Sequence, residues 1–249
     1  MIPPALKNIH ELPLSVQTLM ADYTGKLLED LGDNVLAVLV YGSAAGINYI
    51  PGISNVNIAV ILKDLDFRAL KQSLAAVRWA RRHKMAAPLY LSKEYILNSL
   101  DVFPLEFSEI KQQNIVVFGE DIFTDLDIPV KDVRLLCEQQ VKGKLLHLRQ
   151  AYLTLEANAA ALKSVLAAAL TDLVPVFRQL IILKAQEPLE QKDKMLEQFA
   201  GIFSLDHAPF VAVYQDKSKK NLISPNQLEA HYQNFLNQLE VLSRHLDSL

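Results

Sequence analysis

The stretch Val35–Leu62, VLAVLVYGSAAGINYIPGISNVNIAVIL, decides how the chain is read. Its first seven residues, Val35-Leu-Ala-Val-Leu-Val-Tyr41, are continuously apolar, the pattern of a strand covered on both faces. Gly42-Ser43 and Ala44-Ala45-Gly46 follow as a small-residue turn. Eleven residues separate Ser43 from Asn55-Val56-Asn57-Ile58, which leads into a second apolar strand through Leu62. A glycine directly after a strand lets the backbone turn tightly and lets a ligand approach its N–H groups. The Ser43 hydroxyl adds a donor, and a short helix opening at Ala44 would turn free N–H groups toward an anion. Residues two apart on a strand share a face, so Asn55 and Asn57 are expected to point together over the turn.

This layout resembles the signature of the DNA polymerase beta-like nucleotidyltransferase superfamily. There a hydrophobic strand ends in Gly-Ser or Gly-Gly, and a gap of similar length leads to Asp-hydrophobic-Asp-hydrophobic on the next strand. The resemblance implies that Gly42 and Ser43 bind nucleotide phosphates and that positions 55 and 57 face a divalent metal. Both of those positions are Asn in this chain. Two Asp would carry charge −2 and hold Mg²⁺ together with substrate phosphates. Asn keeps a carbonyl oxygen but loses the charge that draws Mg²⁺ out of water, while its N–H₂ can still bond a phosphate, sugar or base. No metal ligands are therefore assigned and no cofactor is expected, with Mg²⁺ entering only if transfer is retained. Asp64-Leu-Asp66-Phe67 repeats the Asp pattern, but twenty residues separate it from Ser43. An Asp ahead of a helical stretch reads instead as a helix cap.

At 249 residues, half of them apolar, the chain can bury a large core. Its net charge of −3 gives no global basic footprint for nucleic acid. Cys137 is the single cysteine, which excludes a disulfide framework within one chain and a cysteine zinc site, and fits a reducing cytoplasm. Met1-Ile-Pro-Pro carries no secretory pattern. Leu162–Leu183 is interrupted by Lys163, Asp172, Pro175 and Arg178 and reads as too polar for a membrane span.

Around the central stretch, Leu14–Leu31 reads as an amphipathic helix closed by Gly32. Phe67–His83 reads as one helix with a basic end at Arg78, Arg81, Arg82, His83 and Lys84. Those cations can form a phosphate patch, but their simpler role is to complement a helix C-terminus. Arg78 and His83 also match an Arg-x4-His spacing of HEPN-class RNases, in the wrong half of the chain for that role. Ala87–Leu91 reads as a third strand, followed by Ser92 as a helix cap. Phe103–Ile110 reads as a fourth strand by alternation and Asn114–Asp121 as a short fifth. Many nucleotidyltransferases carry a third carboxylate at this stage, and the resemblance points to Glu106 as general base or metal ligand.

From Val130 on the pattern is helical: Asp132 to about Ala157, a second helix within Thr154–Lys184 kinked at Pro175, Pro188–Phe203, Ala208–Tyr214, a solvated loop at Lys217–Lys220, and a last helix from Ser224-Pro225 to Leu246. Short connections between such helices imply an antiparallel bundle. The expected class is α+β: a mixed sheet with flanking helices over 1–128, then a helical bundle over 129–249. That order resembles bacterial kanamycin-type nucleotidyltransferases and nucleotidyltransferase–HEPN pairs. Some antibiotic nucleotidyltransferases use a glutamate of the helical domain to activate the acceptor. Glu138 sits early in the long helix, although a solvent-facing helix residue is the simpler reading. His147 has no second ligand at metal spacing.

Three functions follow as expectations. The first is a catalytically impaired nucleotidyltransferase-like protein that keeps a cleft for a nucleotide or small molecule. The second is an active enzyme moving NMP from NTP to a hydroxyl. The third is a regulatory or structural module whose apolar helical half drives homodimerisation.

Overall fold

Val35–Tyr41 form β1 in the computed structural model, which describes residues 6–52, 54–83, 85–156, 158–219 and 223–247. The chain divides after Pro129 into two compact units. In the first, β1 is an inner strand of a four-stranded sheet ordered β3-β2-β1-β4, with β2 at Asn57–Leu62, β3 at Leu89–Ser92 and β4 at Asn114–Gly119. β1 runs antiparallel to both neighbours, whereas β2 and β3 are parallel, so the sheet is mixed.

Continuous hydrophobicity in β1 reflects burial on both faces. Val38, Val40, Ile58 and Val60 pack toward α1 (Leu14–Leu31) and α3 (Leu74–Arg82). Leu39, Ala59 and Ile61 face the other way, with Phe107 and Ile110 of α5 (Pro104–Gln112) and with Phe123 and Leu126. The register of β1 with β2 sets Tyr41 opposite Asn57.

Helix α1 occupies the expected span and buries Val16, Met20, Tyr23 and Leu27, spaced at helical intervals. The helix expected over Phe67–His83 is two, α2 at Phe67–Gln72 and α3, meeting at Ser73. Buried Ser73 donates its hydroxyl to the Ala69 carbonyl at 2.9 Å. Such back-bonding competes with the helix ladder. Asp66 caps α2, its Oδ1 accepting from the Ala69 N–H at 2.8 Å, so the Asp64–Asp66 pattern has the capping role assigned to it. Ser92 likewise caps α4 (Lys93–Leu97), accepting from the Tyr95 N–H.

One element differs in kind. Phe103–Ile110 is not a strand: Pro104 opens a helix at its first position, and α5 runs to Gln112. Leu105, Phe107, Ser108 and Ile110 are all buried, a one-sided helical set that strict alternation does not describe. Pro at the first helical position costs no hydrogen bond and presets φ for the helix. The sheet therefore has one strand fewer than the five expected, with Asn114–Gly119 as β4.

The second unit is helical: α6 (Val130–Thr154), α7 (Ala159–Leu183), α8 (Lys192–Ile202), α9 (Ala208–Lys219) and α10 (Pro225–Leu246). Helix α9 continues through Lys217–Lys219, where a loop was expected, and Lys220 lies outside the described residues. Ala157, the expected end of the first helix, also lies outside them, and α6 ends at Thr154. Pro175 lies inside α7. By length and hydropathy alone α7 could cross a membrane. In this structure Leu166, Leu170, Leu173, Phe177 and Leu180 are buried as core, with Phe177 stacked on Phe199 at 4.0 Å. Phe210 extends the cluster to Phe235 of α10, 5.1 Å between ring centres. The Tyr232 hydroxyl donates to the Leu148 carbonyl at 2.6 Å, tying α10 to α6. Cys137 is buried on α6, and burial pushes its thiol up to about 12, so it is a protonated packing residue.

The tightest backbone approach in the sheet is at Gly119, which has φ +79° and pairs with Ala37. A Cβ there would stand 1.9 Å from the Leu36 carbonyl oxygen. Gly119→Ala is expected to cost about 2 kcal/mol or more, since a left-handed backbone and a backbone clash add. Gly25→Ala, in the interior of α1 with nothing within 4 Å of the added Cβ, is expected to gain up to about 1 kcal/mol. Urea denaturation of the two variants beside wild type checks both signs.

Candidate active site at the Gly42–Ser43 turn

The apolar run of β1 ends at Tyr41, and the chain turns through a single 3-10 turn, Gly42–Ala45. Gly42 adopts φ +69°, a conformation that disfavours any side chain. Around it the sheet and α5 leave little room for a side chain. A Cβ built on Gly42 would lie 3.1 Å from Asn57 Nδ2 and 3.6 Å from Glu109 Oε1. Two polar side chains from different elements thus converge on the one position in the turn that has none. Gln113, which ends α5, closes the far side. Its carbonyl accepts from the Gly42 N–H at 3.2 Å, and its side chain fills the place where a Gly46 Cβ would be. The Ser43 carbonyl accepts from the Gly46 N–H at 3.3 Å, and Ser43 itself is half-buried beside this space.

Electrostatically the end of β1 is negative. Burial, then the charges of Glu109 and Glu106, push the Tyr41 hydroxyl above its ordinary range. Glu106 and Glu109 are three apart on α5 and so share a helix face. Glu106 is exposed, while Glu109 is half-buried.

The residues named from sequence fall as follows. Gly42, Ser43 and Asn57 come together at the turn. Asn55 lies before β2, which begins at Asn57, and it is exposed. The expected strand geometry for the Asn55–Asn57 pair therefore stops short of Asn55. Glu106 stands on a helix rather than a strand, and the carboxylate that reaches Gly42 is Glu109, one turn further along. Alternation analysis missed Glu109 because it treated the segment as extended. The signal that could have found it was Pro104 followed by apolar residues at helical spacing.

The other sequence candidates lie apart from this turn. Arg81 and Arg82 occupy the last turn of α3, on the opposite face of the sheet from α5. His83 stacks on Trp79 at 4.0 Å, and Lys26 lies 5.8 Å over the same indole ring. Arg78 and Arg82 line a groove of about 340 Å³ with Lys26, Glu29 and Asp30, so cations and carboxylates are mixed there. Lys84 lies outside the described residues. Glu138 is not an isolated solvent-facing residue: its carboxylate pairs with Arg134 at 3.2 Å and Lys142 at 2.6 Å along α6.

A divalent cation requires hard oxygen donors and negative charge. At the turn Asn57 supplies a neutral carboxamide and Glu109 one carboxylate. Among the described residues no three His, Cys, Asp or Glu side chains gather in a way that could hold a metal ion. Mg²⁺ in phosphate chemistry is commonly held by one or two carboxylates plus substrate phosphates, and the donor chemistry at Gly42 suits that mode rather than a protein cage.

No protein-family model matches the chain, and no curated protein matches it in sequence. In fold it is similar to the spectinomycin adenyltransferase of Enterococcus faecialis determined with ATP and spectinomycin. The likeness covers 90% of this chain and 99% of that one, at 14% identity and a TM-score of 0.56. The chain has a nucleotidyltransferase fold. At this identity the likeness speaks for the architecture, and the chemistry must be argued from the turn itself.

Gly42→Ala tests how far the turn depends on the bare backbone. It is expected to cost about 1–2 kcal/mol from the left-handed φ alone and to displace Asn57. Backbone amide shifts of Asn57 and Glu109 by NMR, with an unfolding curve, check both parts. Unchanged shifts at both residues would show that the space is not tight.

Proposed function

We propose that the cleft over the Gly42–Ser43 turn binds a nucleoside triphosphate and that the Asn55–Asn57 pair leaves nucleotidyl transfer weak. The observation that carries this reading is the convergence of Asn57 Nδ2 on Gly42, 3.1 Å from where a Cβ would stand. A carboxamide N–H₂ beside a glycine turn is a donor placed for a phosphate oxygen, with Ser43 as a second. Binding of a nucleotide by this fold has precedent in the adenyltransferase determined with ATP.

Phosphoryl and nucleotidyl transfer depend on positioning and on cations that neutralise developing charge. Neutral amides at 55 and 57 remove much of that support. Calorimetric titration of the full chain with ATP and with GTP in Mg²⁺ buffer is the direct test. Saturable binding, weakened roughly tenfold by Ser43→Ala, is the expected result, and absence of binding for both nucleotides ends this reading.

A second reading, active transfer of NMP to a hydroxyl, is favoured by one observation. Glu109 brings a carboxylate to the turn from α5 and could stand in for charge missing from β2. The double variant Asn55→Asp/Asn57→Asp separates the two. If the amides disable the site, the variant gains Mg²⁺-dependent pyrophosphate release from NTP by about 100-fold or more, the scale lost when one charge-stabilising group is removed. Wild type already releasing pyrophosphate at a comparable rate would establish transfer and remove the impaired reading.

A further inference from the structure

The basic end of α3 has features that helix complementation does not explain. Only Arg81 and Arg82 stand in its last turn, where the helix dipole favours cations, and Arg78 lies one turn earlier. Spaced three and four apart, the three arginines share one exposed side of the helix. Among the described residues none of them forms an ion pair. Arg78 and Arg82 line the groove of about 340 Å³ between α3 and α1, whose α1 wall carries Lys26, Glu29 and Asp30. Beside these cations sits a fixed aromatic platform. The His83 ring stacks on Trp79 with 27° between the planes, and its Nδ1 donates to the Trp79 carbonyl at 2.9 Å. His83 is exposed, so the stack ends at a ring that a further planar group can cover. A ring already held by two contacts loses little rotamer freedom when that group arrives.

We infer that the α1–α3 groove binds single-stranded RNA, with Arg78 and Arg82 on phosphates and His83 beneath a base. Guanidinium forks match phosphate oxygens, and an aromatic face accepts any base. The carboxylates choose among anionic partners. Glu29 and Asp30 repel an acidic peptide, yet they accept hydrogen bonds from ribose 2′-hydroxyls, the groups that separate RNA from DNA. A duplex keeps its bases stacked inside and offers none to His83. With a net charge of −3 the chain exerts no general attraction on nucleic acid, so the contact is confined to this local cluster. The groove lies on the face of the sheet away from α5, and the inference stands apart from the nucleotide reading of the Gly42 turn.

Trp79 is the one tryptophan of the chain, so its emission reports this groove. The experiment titrates the full chain, at about pH 8 where imidazole is neutral, with an end-labelled oligoadenylate of about ten nucleotides. Trp79 emission and strand anisotropy are followed together. Saturable binding with a change in Trp79 emission is expected, weakening as salt rises. The double variant Arg78→Ala/Arg82→Ala is expected to bind about tenfold or more weakly, with a flatter salt dependence. His83→Ala is expected to lose about fivefold or more with the salt dependence unchanged, a split that loss of charge does not produce. Oligodeoxyadenylate of the same length is expected to bind roughly fivefold or more weakly than the RNA. Absence of binding to the RNA at low salt overturns the inference. Full affinity in either folded variant does the same, as does DNA bound as tightly as RNA. Displacement of the RNA by oligoglutamate of equal charge identifies a surface for acidic peptides and overturns it as well.

Discussion

Burial of β1 on both faces is the constraint on which the first unit depends. From Ala37 to Val40 the strand is sealed by α1 on one side and α5 on the other, with Leu36 alone among its residues exposed, so it can change direction only at its ends. At the Tyr41 end the relief is Gly42. The antiparallel pairing with β2 and β4 then sets Asn57 and Asn114 on either side of Tyr41, so the polar residues of three strands gather at one rim of the sheet. The rim is polar because the sheet ends there: inward of it Ala37–Val40 of β1 and Ile58–Leu62 of β2 are all buried in packing. Asn114 illustrates the point, spending its side-chain N–H₂ on the Ile110 carbonyl at 2.9 Å and on Asp121. Asp121 in turn holds the Phe123 and Thr124 N–H groups and the Thr124 hydroxyl, fixing the chain as it leaves β4.

How much of this was legible in the sequence depends on whether a local signal and the tertiary environment agreed. In α1 and β1 they did. The spacing of Val16, Met20, Tyr23 and Leu27 and the unbroken run Val35–Tyr41 each allow one reading, and the structure has the same bounds. Asp66 and Ser92 were legible as caps for the same reason: a side-chain acceptor ahead of a helical stretch solves a local problem, the unmatched N–H groups of the first turn. The four-stranded mixed sheet with flanking helices and the helical second unit together bear out the α+β expectation.

The strand expected over Phe103–Ile110 fails because two periods compete in a short segment. In Phe103–Ile110 the residues Phe103, Leu105 and Phe107 alternate, and Pro104, Ile110 and the buried Ser108 break the strand pattern. Pro104 should have decided it, because proline removes a ladder donor from a strand yet sits without cost at a helix start. The consequence is chemical as well as topological. On a strand, Glu106 and Glu109 point to opposite faces. On a helix they lie together, and the half-buried member of the pair is the one aimed at Gly42. A misassigned period thus moved the candidate carboxylate by one helical turn. The break at Ser73 follows similar physics, a hydroxyl offering the backbone an alternative partner that no apolar period reveals.

The polar groups at the turn therefore come from two elements with different mechanical character. Asn57 is held in strand register against Tyr41 and can move little without unpairing β2. Glu109 rides on a nine-residue helix fixed through the buried Phe107 and Ile110. A carboxylate on β2 would be fixed by the same register as Asn57, close to the glycine whether or not a cation was present. A carboxylate on α5 reaches the turn from a helix held by a separate packing surface. In such an arrangement the sheet supplies a neutral side chain held in register and the helix supplies the charge.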